Sequence, residues 1–349
     1  MAAGAFRAGA ALRASAYDAG VFPVHRAARP VVSVGNLTTG GTGKTPLVIW
    51  LARRLLLRGL KTAVLARGYG AARDGECNDE LRLIGEEVPG AALFPGSDRV
   101  SSAAAACGDG CQVLVLDDGF QHRRLARDLD LVVLDATDPW GTPGRWVLPR
   151  GLLREPPAAL RRADAVILSR VELAGAKALE ALEAEVRAAG FEGPVLRMAI
   201  RPARVAVLAR RDGDEGPPVL PLEHLRDLAA LAVCGIGNPS AYAATLAGLG
   251  VRTSQLVALP DHHAFTAADV HALEELATRR AVGSVCITEK DAIKLTELLC
   301  SAGPRRATWL ALGVEAVVEP EEPIEALLDD IAAAAREIPP PAEPEPPAS

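Results

Sequence analysis

No stretch of this 349-residue chain approaches the roughly eighteen consecutive apolar residues of a membrane-spanning helix. Met1 to Gly20, Ala-rich with Arg7 and Arg13, also lacks the continuous apolar core of a signal peptide. Integral-membrane and exported classes are therefore not expected. The six cysteines, Cys77, Cys107, Cys111, Cys234, Cys286 and Cys300, form no Cys-x-x-Cys pair and have no nearby His at zinc-ligand spacing. They read as reduced, mostly buried thiols of a cytoplasmic protein. The excess of acidic over basic residues, a formal net charge of -6, disfavours a sequence-independent grip on nucleic acid, and no such partner is expected. No repeat recurs at a solenoid period.

What is present is ample apolar material, 49% of the residues, in a chain longer than one core usually supports. From Pro30 onward short, nearly continuous apolar runs alternate with helical stretches: Val31 to Val34, Thr62 to Ala66, Val113 to Leu116, Leu131 to Leu134 and Ala165 to Leu168. Strands buried on both faces of a parallel sheet have this composition. A second α/β series follows, with strands Leu231 to Cys234, Gln255 to Leu259 and Ser284 to Thr288, and helices over Ser240 to Leu249 and Ala267 to Thr278. Extended segments Val195 to Ile200 and Val205 to Ala209 lie between the two series. The expected division is a first domain over 1–198, a linker over 199–225, a second, smaller α/β domain over 226–337, and a disordered Pro/Glu-rich tail over 338–349. Phe6, Leu12 and Tyr17 fit one side of an N-terminal surface helix with its arginines towards anionic headgroups; a simple capping helix fits the same residues.

The run Val31 to Val34 leads into Gly35-Asn36-Leu37-Thr38-Thr39-Gly40-Gly41-Thr42-Gly43-Lys44-Thr45-Pro46 and then a helical pattern. Strand, glycine loop and helix in that order make a phosphate-binding loop. Backbone amides of Gly40, Gly41, Thr42 and Gly43 close around phosphate oxygens, Lys44 reaches the outer phosphates, and Thr45 ligates Mg²⁺. The common pattern has Gly five residues before Gly43, where this chain has Thr38. A second motif supports the first: Val113 to Leu116 ends in Asp117-Asp118-Gly119, and a carboxylate at such a strand end holds Mg²⁺ directly or through water.

Taken in order, these motifs resemble the tetraacyldisaccharide 4′-kinase family over nearly the whole chain. The resemblance rests on the loop with its leading Ser33-Val34-Gly35-Asn36-Leu37, then Arg67-Gly68-Tyr69-Gly70 and Asp117-Asp118-Gly119-Phe120-Gln121-His122. It continues through Leu148-Pro149-Arg150-Gly151 with Leu153-Arg154-Glu155-Pro156, Asp261-His262, and Thr288-Glu289-Lys290-Asp291. Thr38 fits, because this family also looks like it carries Thr there. The likeness implies two α/β/α domains joined by a short β linker, the first of P-loop NTPase type, with the site in the cleft between them. Two segments depart from the family's usual pattern: Met1 to Gly20 is shorter and less apolar, and Arg150-Gly151-Leu152 replaces a small residue and Pro around that Gly.

The implied reaction is ATP-dependent phosphorylation of the 4′-hydroxyl of tetraacyldisaccharide 1-phosphate in lipid A synthesis, by a peripheral enzyme at the cytoplasmic face of the inner membrane, with no obligate protein partner. Lys44 neutralises charge on the transferring group, while Thr45 with Asp117 or Asp118 positions Mg²⁺. Asp79, in Asn78-Asp79-Glu80, matches the family's catalytic Asp and accepts the hydroxyl proton, assisted by Asp261 and His262 once the domains close. Arg67, Gln121, His122, Arg154 and Glu155 are expected at the acceptor. Arg99, Arg123 and Arg124 join Arg67 and Arg154 as candidates for its 1-phosphate or the nucleotide. Two other readings are a P-loop switch or metallochaperone-type NTPase, and a small-metabolite kinase. A switch needs a guanine-reading Asn-Lys-x-Asp loop, and Leu168-Ser169-Arg170 has no Asp two residues after Arg170.

Overall fold

The computed structural model describes residues 9, 12–67, 77–142, 144–301 and 304–339. In chain order the elements begin with α1 (residues 12–18), β1 (Val31–Asn36), α2 (Lys44–Leu57), β2 (Thr62–Ala66), α3 (Asp79–Glu87), β3 (Ala92–Pro95), α4 (Arg99–Gly108), β4 (Val113–Asp117) and β5 (Leu129–Asp135). Next come β6 (Ala165–Ser169), α5 (Ala176–Ala188), β7 (Val195–Ala209), β8 (Val219–Leu220), β9 (Ala229–Cys234), α6 (Pro239–Gly248) and β10 (Arg252–Ala258). The last are α7 (Ala267–Arg279), β11 (Ser284–Thr288), α8 (Glu289–Ser301), β12 (Thr308–Glu319) and α9 (Glu321–Glu337). Two compact units emerge: Met1–Thr39, Gly43–Met198 and Val318–Ser349 make the first, and Gly40–Thr42 with Ala199–Val317 the second.

In the first unit the strands run in the order β7-β6-β5-β1-β4-β2-β3, and every neighbouring pair is parallel. The central strands β1, β4, β5 and β6 are buried at every position, as their apolar runs require of strands covered on both faces. Against β1 and β4 packs α2, whose Leu47, Val48, Leu51, Ala52 and Leu55 recur at helical spacing and are fully buried. Each large side chain among them contributes about 1.5–3 kcal/mol by leaving water. The helix stops at Arg58 and Gly59, whose amides bond back to Leu55 and Leu56.

The expected grouping of residues up to 337 with the second domain is corrected by α9, which belongs to the first unit. Its apolar face, Ile324, Leu328, Ile331, Ala332 and Ala335, is buried. Its acidic face meets α2: Glu321 and Glu325 pair with Arg54, and Glu325 and Asp329 with Arg58. The tail is also tied for two residues longer than expected, because Arg29 donates to the carbonyls of Ile338 and Pro339. Residues 340–349 lie outside the described residues.

The second unit carries β10-β9-β11-β12, each neighbouring pair parallel. One core side packs Leu231, Val233, Val285, Ile287 and Trp309 against α7 and α8. The other packs Cys234, Cys286 and Leu310 against Tyr242 and Leu246 of α6. The two expected segments over 195–209 form one continuous strand, β7, which β8 joins antiparallel through Val205 and Ala206.

Candidate phosphate-binding and catalytic site

β1 delivers the chain into the glycine loop, and Lys44 and Thr45 open α2. Gly43 caps this helix at φ 87° and Gly40 lies at φ 112°, left-handed conformations that an L side chain rarely adopts. The cap has no side chain to occupy the first-turn amides, and the first turn holds no acidic residue. Unused amides and a helix N-terminus of positive potential suit phosphate oxygens. Gly35, in β1, lets the Asp-Asp-Gly-Phe segment close over the strand: a Cβ there would stand 2.4 Å from Phe120 Cβ and 2.6 Å from its backbone N.

β4, hydrogen-bonded beside β1, ends at Asp117, and Asp118 follows at φ 54°. Lys44 Nζ lies 3.5 Å from Asp118 Oδ1, and Arg154 Nη1 lies 2.7 Å from Oδ2. Burial opposes ionisation of Asp118, but Lys44 and Arg154 outweigh it and hold the carboxyl below its ordinary value. Asp117 behaves oppositely. Burial first, and then the Glu80 carboxylate, push it up to about 7 despite Lys44. Its Oδ1 is buried without a hydrogen-bond partner among the described residues.

That atom tests the fit to a divalent cation. A buried, unsatisfied carboxylate oxygen next to a second carboxylate is a hard-oxygen donor set of the kind Mg²⁺ takes, and Thr45, in the first turn of α2, carries a hydroxyl of the same chemistry. Among the described residues no three His, Cys, Asp or Glu side chains form a ready-made metal centre.

The remaining first-unit candidates have the following surroundings. Arg99 opens α4 fully buried, donates to the Gly96 carbonyl, and reaches the Asp117 carbonyl at 3.4 Å. Burial lowers its guanidinium to about 10 against the pull of Asp117 and Asp118, so it stays charged at neutral pH. Gln121 donates to the Asn36 carbonyl at 2.9 Å and lies 3.5 Å from Arg154 through its Oε1. His122 is lowered to about 4 by burial and then by Arg99. Asp79 is the first residue of α3, capped by Asn78, whose side chain accepts from the Leu81 amide at 2.9 Å. Arg67 follows β2 exposed, whereas Gly68, Tyr69 and Gly70 lie outside the described residues.

Two further candidates have partners within the first unit. Glu155 is taken up by Arg162 in a two-pronged pair at 2.8 and 3.2 Å, while that guanidinium also covers the Phe120 ring. Arg123 is spent on the N-terminal segment: it bonds Asp18 at 2.7 Å and the Ala14 carbonyl, and stacks on Tyr17. Tyr17 in turn meets Phe22, Leu12 is exposed, and Phe6 lies outside the described residues.

In the second unit the His262 amide donates to Asp261 Oδ1 at 3.1 Å, while its Nε2 lies 4.0 Å from Oδ2. The partner that sequence reasoning missed is Lys290, 3.4 Å from Asp261 Oδ1. It belongs to Thr288-Glu289-Lys290-Asp291, where buried Asp291 accepts from Thr288 Oγ1 and the Gly235 amide. Glu80 is the corresponding omission in the first unit; its proximity to the flagged Asp79 was the available signal.

A parallel sheet whose first strand, glycine loop and helix stand beside an aspartate-ended strand defines a P-loop phosphotransferase fold. The model of the family described as tetraacyldisaccharide-1-P 4′-kinase matches residues 1–332, and the chain belongs to that family. A protein named tetraacyldisaccharide 4′-kinase from Anaeromyxobacter dehalogenans (strain 2CP-C) is 43% identical, over 89% of this chain and 84% of its own. One of the same name from Syntrophus aciditrophicus is 38% identical, over 93% and 89%. Among solved structures, the LpxK of Aquifex aeolicus in complex with ATP superposes with TM-score 0.67 at 27% identity, covering 93% of this chain and 96% of that one. These matches favour the kinase over the switch, metallochaperone-type and small-metabolite readings.

Proposed function

We propose that this enzyme transfers the γ-phosphoryl group of ATP to the 4′-hydroxyl of tetraacyldisaccharide 1-phosphate. The observation that carries the reading is the Lys44–Asp118 pair at the mouth of the glycine loop, in a chain matching this family over residues 1–332. Phosphoryl transfer demands alignment and charge compensation more than covalent chemistry from the protein. The loop amides from Gly40 to Gly43 hold the polyphosphate, and Lys44 leaves Asp118 to follow the outer phosphates. Thr45 and Asp117, with Asp118 beside them, hold Mg²⁺. The bound ion supplies neutralisation of negative charge on the phosphate oxygens.

Asp79 accepts the proton of the attacking hydroxyl, and Asp261 with His262 assists it. Arg154 positions Asp118, and Arg67, Gln121 and His122 contribute to the acceptor side. The acceptor is a lipid, so the enzyme works as a peripheral protein at the cytoplasmic face of the inner membrane. Among the described residues no helix is long and apolar enough to cross a membrane.

The test is transfer of labelled γ-phosphate from ATP·Mg²⁺ to tetraacyldisaccharide 1-phosphate in detergent micelles, with Lys44→Ala alongside. Labelled lipid from the parent protein alone supports the reading; ATP hydrolysis without labelled lipid overturns it.

A further inference from the structure

Residues 146–153 form a tight loop hydrogen-bonded to the phosphate loop, and its outer surface is unlike the rest of the site. The Leu153 amide donates to the Trp146 carbonyl and the Leu148 amide to the Leu153 carbonyl, closing the loop on itself. The Leu152 carbonyl accepts from the Thr39 amide at 2.8 Å, and the Arg154 amide donates to Leu37 at 2.7 Å. The loop is thus fastened at both strands of contact to the segment that leads into Gly40. Yet Trp146 is 45% exposed and Leu152 38% exposed. The exposed Arg150 guanidinium lies 3.6 Å from the centre of the Trp146 ring.

An ordered loop normally turns its Trp and Leu inward, because each left in water forgoes the gain of burial. Here Leu153 is buried but Trp146 and Leu152 are held outward, and the tryptophan face is topped by a cation. Tryptophan and arginine share the habit of settling where apolar and charged surroundings meet: the ring body and aliphatic stem enter the apolar layer, while the indole N–H and guanidinium stay with water and phosphates.

We propose that Trp146, Arg150 and Leu152 are the enzyme's contact with an anionic lipid surface, the layer from which it draws its acceptor. This rests on the lipid-kinase reading above and adds to it the residues that meet the lipid. An amphiphilic acceptor must bring a sugar hydroxyl to the phosphate loop while its acyl chains remain in an apolar layer. A lipid-facing loop bonded directly to Thr39 places that layer beside the transfer site. Arg150 supplies the charge complementary to phosphate headgroups, and Trp146 and Leu152 the apolar insertion.

The experiment uses the full chain with vesicles of phosphatidylcholine and phosphatidylglycerol brominated on their acyl chains. Bromine quenches tryptophan fluorescence on contact; of the other three tryptophans Trp140 and Trp309 are buried and Trp50 is half-buried under Arg54, so the comparison is with Trp146→Phe, which keeps the loop's packing while removing its indole. Quenching of the parent protein that is lost in Trp146→Phe is the expected result. Equal quenching in both, or none in the parent, overturns the proposal. Arg150→Ala should weaken binding to the anionic vesicles severalfold; unchanged binding overturns the role given to its charge. In the kinase assay, Trp146→Ala should raise KM for the lipid acceptor about tenfold with KM for ATP unmoved, the scale set by one large apolar side chain. Quenching without acceptor phosphorylation would leave the lipid contact standing and remove the kinase reading. Phosphorylation without quenching would do the reverse.

Discussion

Arg154 and Asp118 are joined by a 2.7 Å contact although 36 residues separate them in the chain. The guanidinium fixes one oxygen of the strand-end carboxylate and leaves the other to Lys44 at 3.5 Å. Removing it should let Asp118 swing and draw Lys44 from its line to the phosphates. Arg154→Ala is therefore expected to lower turnover about 10- to 100-fold, the usual scale for a partner of a metal-site carboxylate. Arg154→Lys should recover little of this, since an ammonium cannot reproduce the planar fork. Unchanged turnover in the alanine variant would refute the positioning role.

Lys44→Ala should cost about 10²- to 10³-fold in turnover, the loss typical of one preorganised charge-stabilising donor. Circular dichroism should be unchanged, because the side chain lies at a helix start and not in the core. Near-normal turnover would sink the phosphate-loop assignment.

The buried carboxyl of Asp117 gives a pH signature of definite sign. In the folded protein it keeps its proton up to about 7, whereas in the unfolded chain it loses it near 3.8. The folded state thus binds more protons across that window, and this group's contribution to stability falls as pH rises through it. A cation that pairs with the ionised form reverses the penalty. Calorimetry should show Mg²⁺ raising Tm more at pH 8 than at pH 5.5, and Asp117→Asn should abolish the difference. A cation effect independent of pH would contradict it.

His122 predicts the opposite slope. Its folded pKa of about 4 lies below the ordinary 6.5, so between those values the unfolded chain binds a proton that the folded one refuses. Its contribution is complete above pH 6.5 and is lost as pH falls towards 4. Denaturant titrations of His122→Gln should show a shallower loss of stability over that window than the parent. Parallel curves would argue against a buried neutral imidazole.

Leu328, fully buried on α9, should cost about 2–5 kcal/mol when cut to Ala. The loss should appear in the transition of the nucleotide-binding unit, followed by protection with ATP, since that is the core this side chain fills. A transition confined to the second unit would place α9 wrongly.

The central strands were legible because burial on both faces leaves almost nothing but apolar residues, as in Val31 to Val34, broken by Ser33 alone, and Val113 to Leu116. β3 was not, being a four-residue strand at the sheet edge, half-exposed and ending in Pro95. β7 read as two segments because Arg201, Pro202, Ala203 and Arg204 interrupt the apolar run while the backbone continues. At the site, Lys44 and the aspartate pair were visible because loop chemistry is local. The Asp261–Lys290 pair spans 29 residues, and Arg58 meets Glu325 across 267, so no local pattern announces either.

The place of α9 bears on how the protein is made. Residues 199–317 are continuous and can pack as soon as they emerge from the ribosome. The nucleotide-binding half must wait, with one flank of α2 and β4 uncovered, until residues 318–337 have been synthesised and returned to it. The catalytic half thus begins first in the chain and is completed last, so a truncated product would carry the full phosphate loop on an unfinished core.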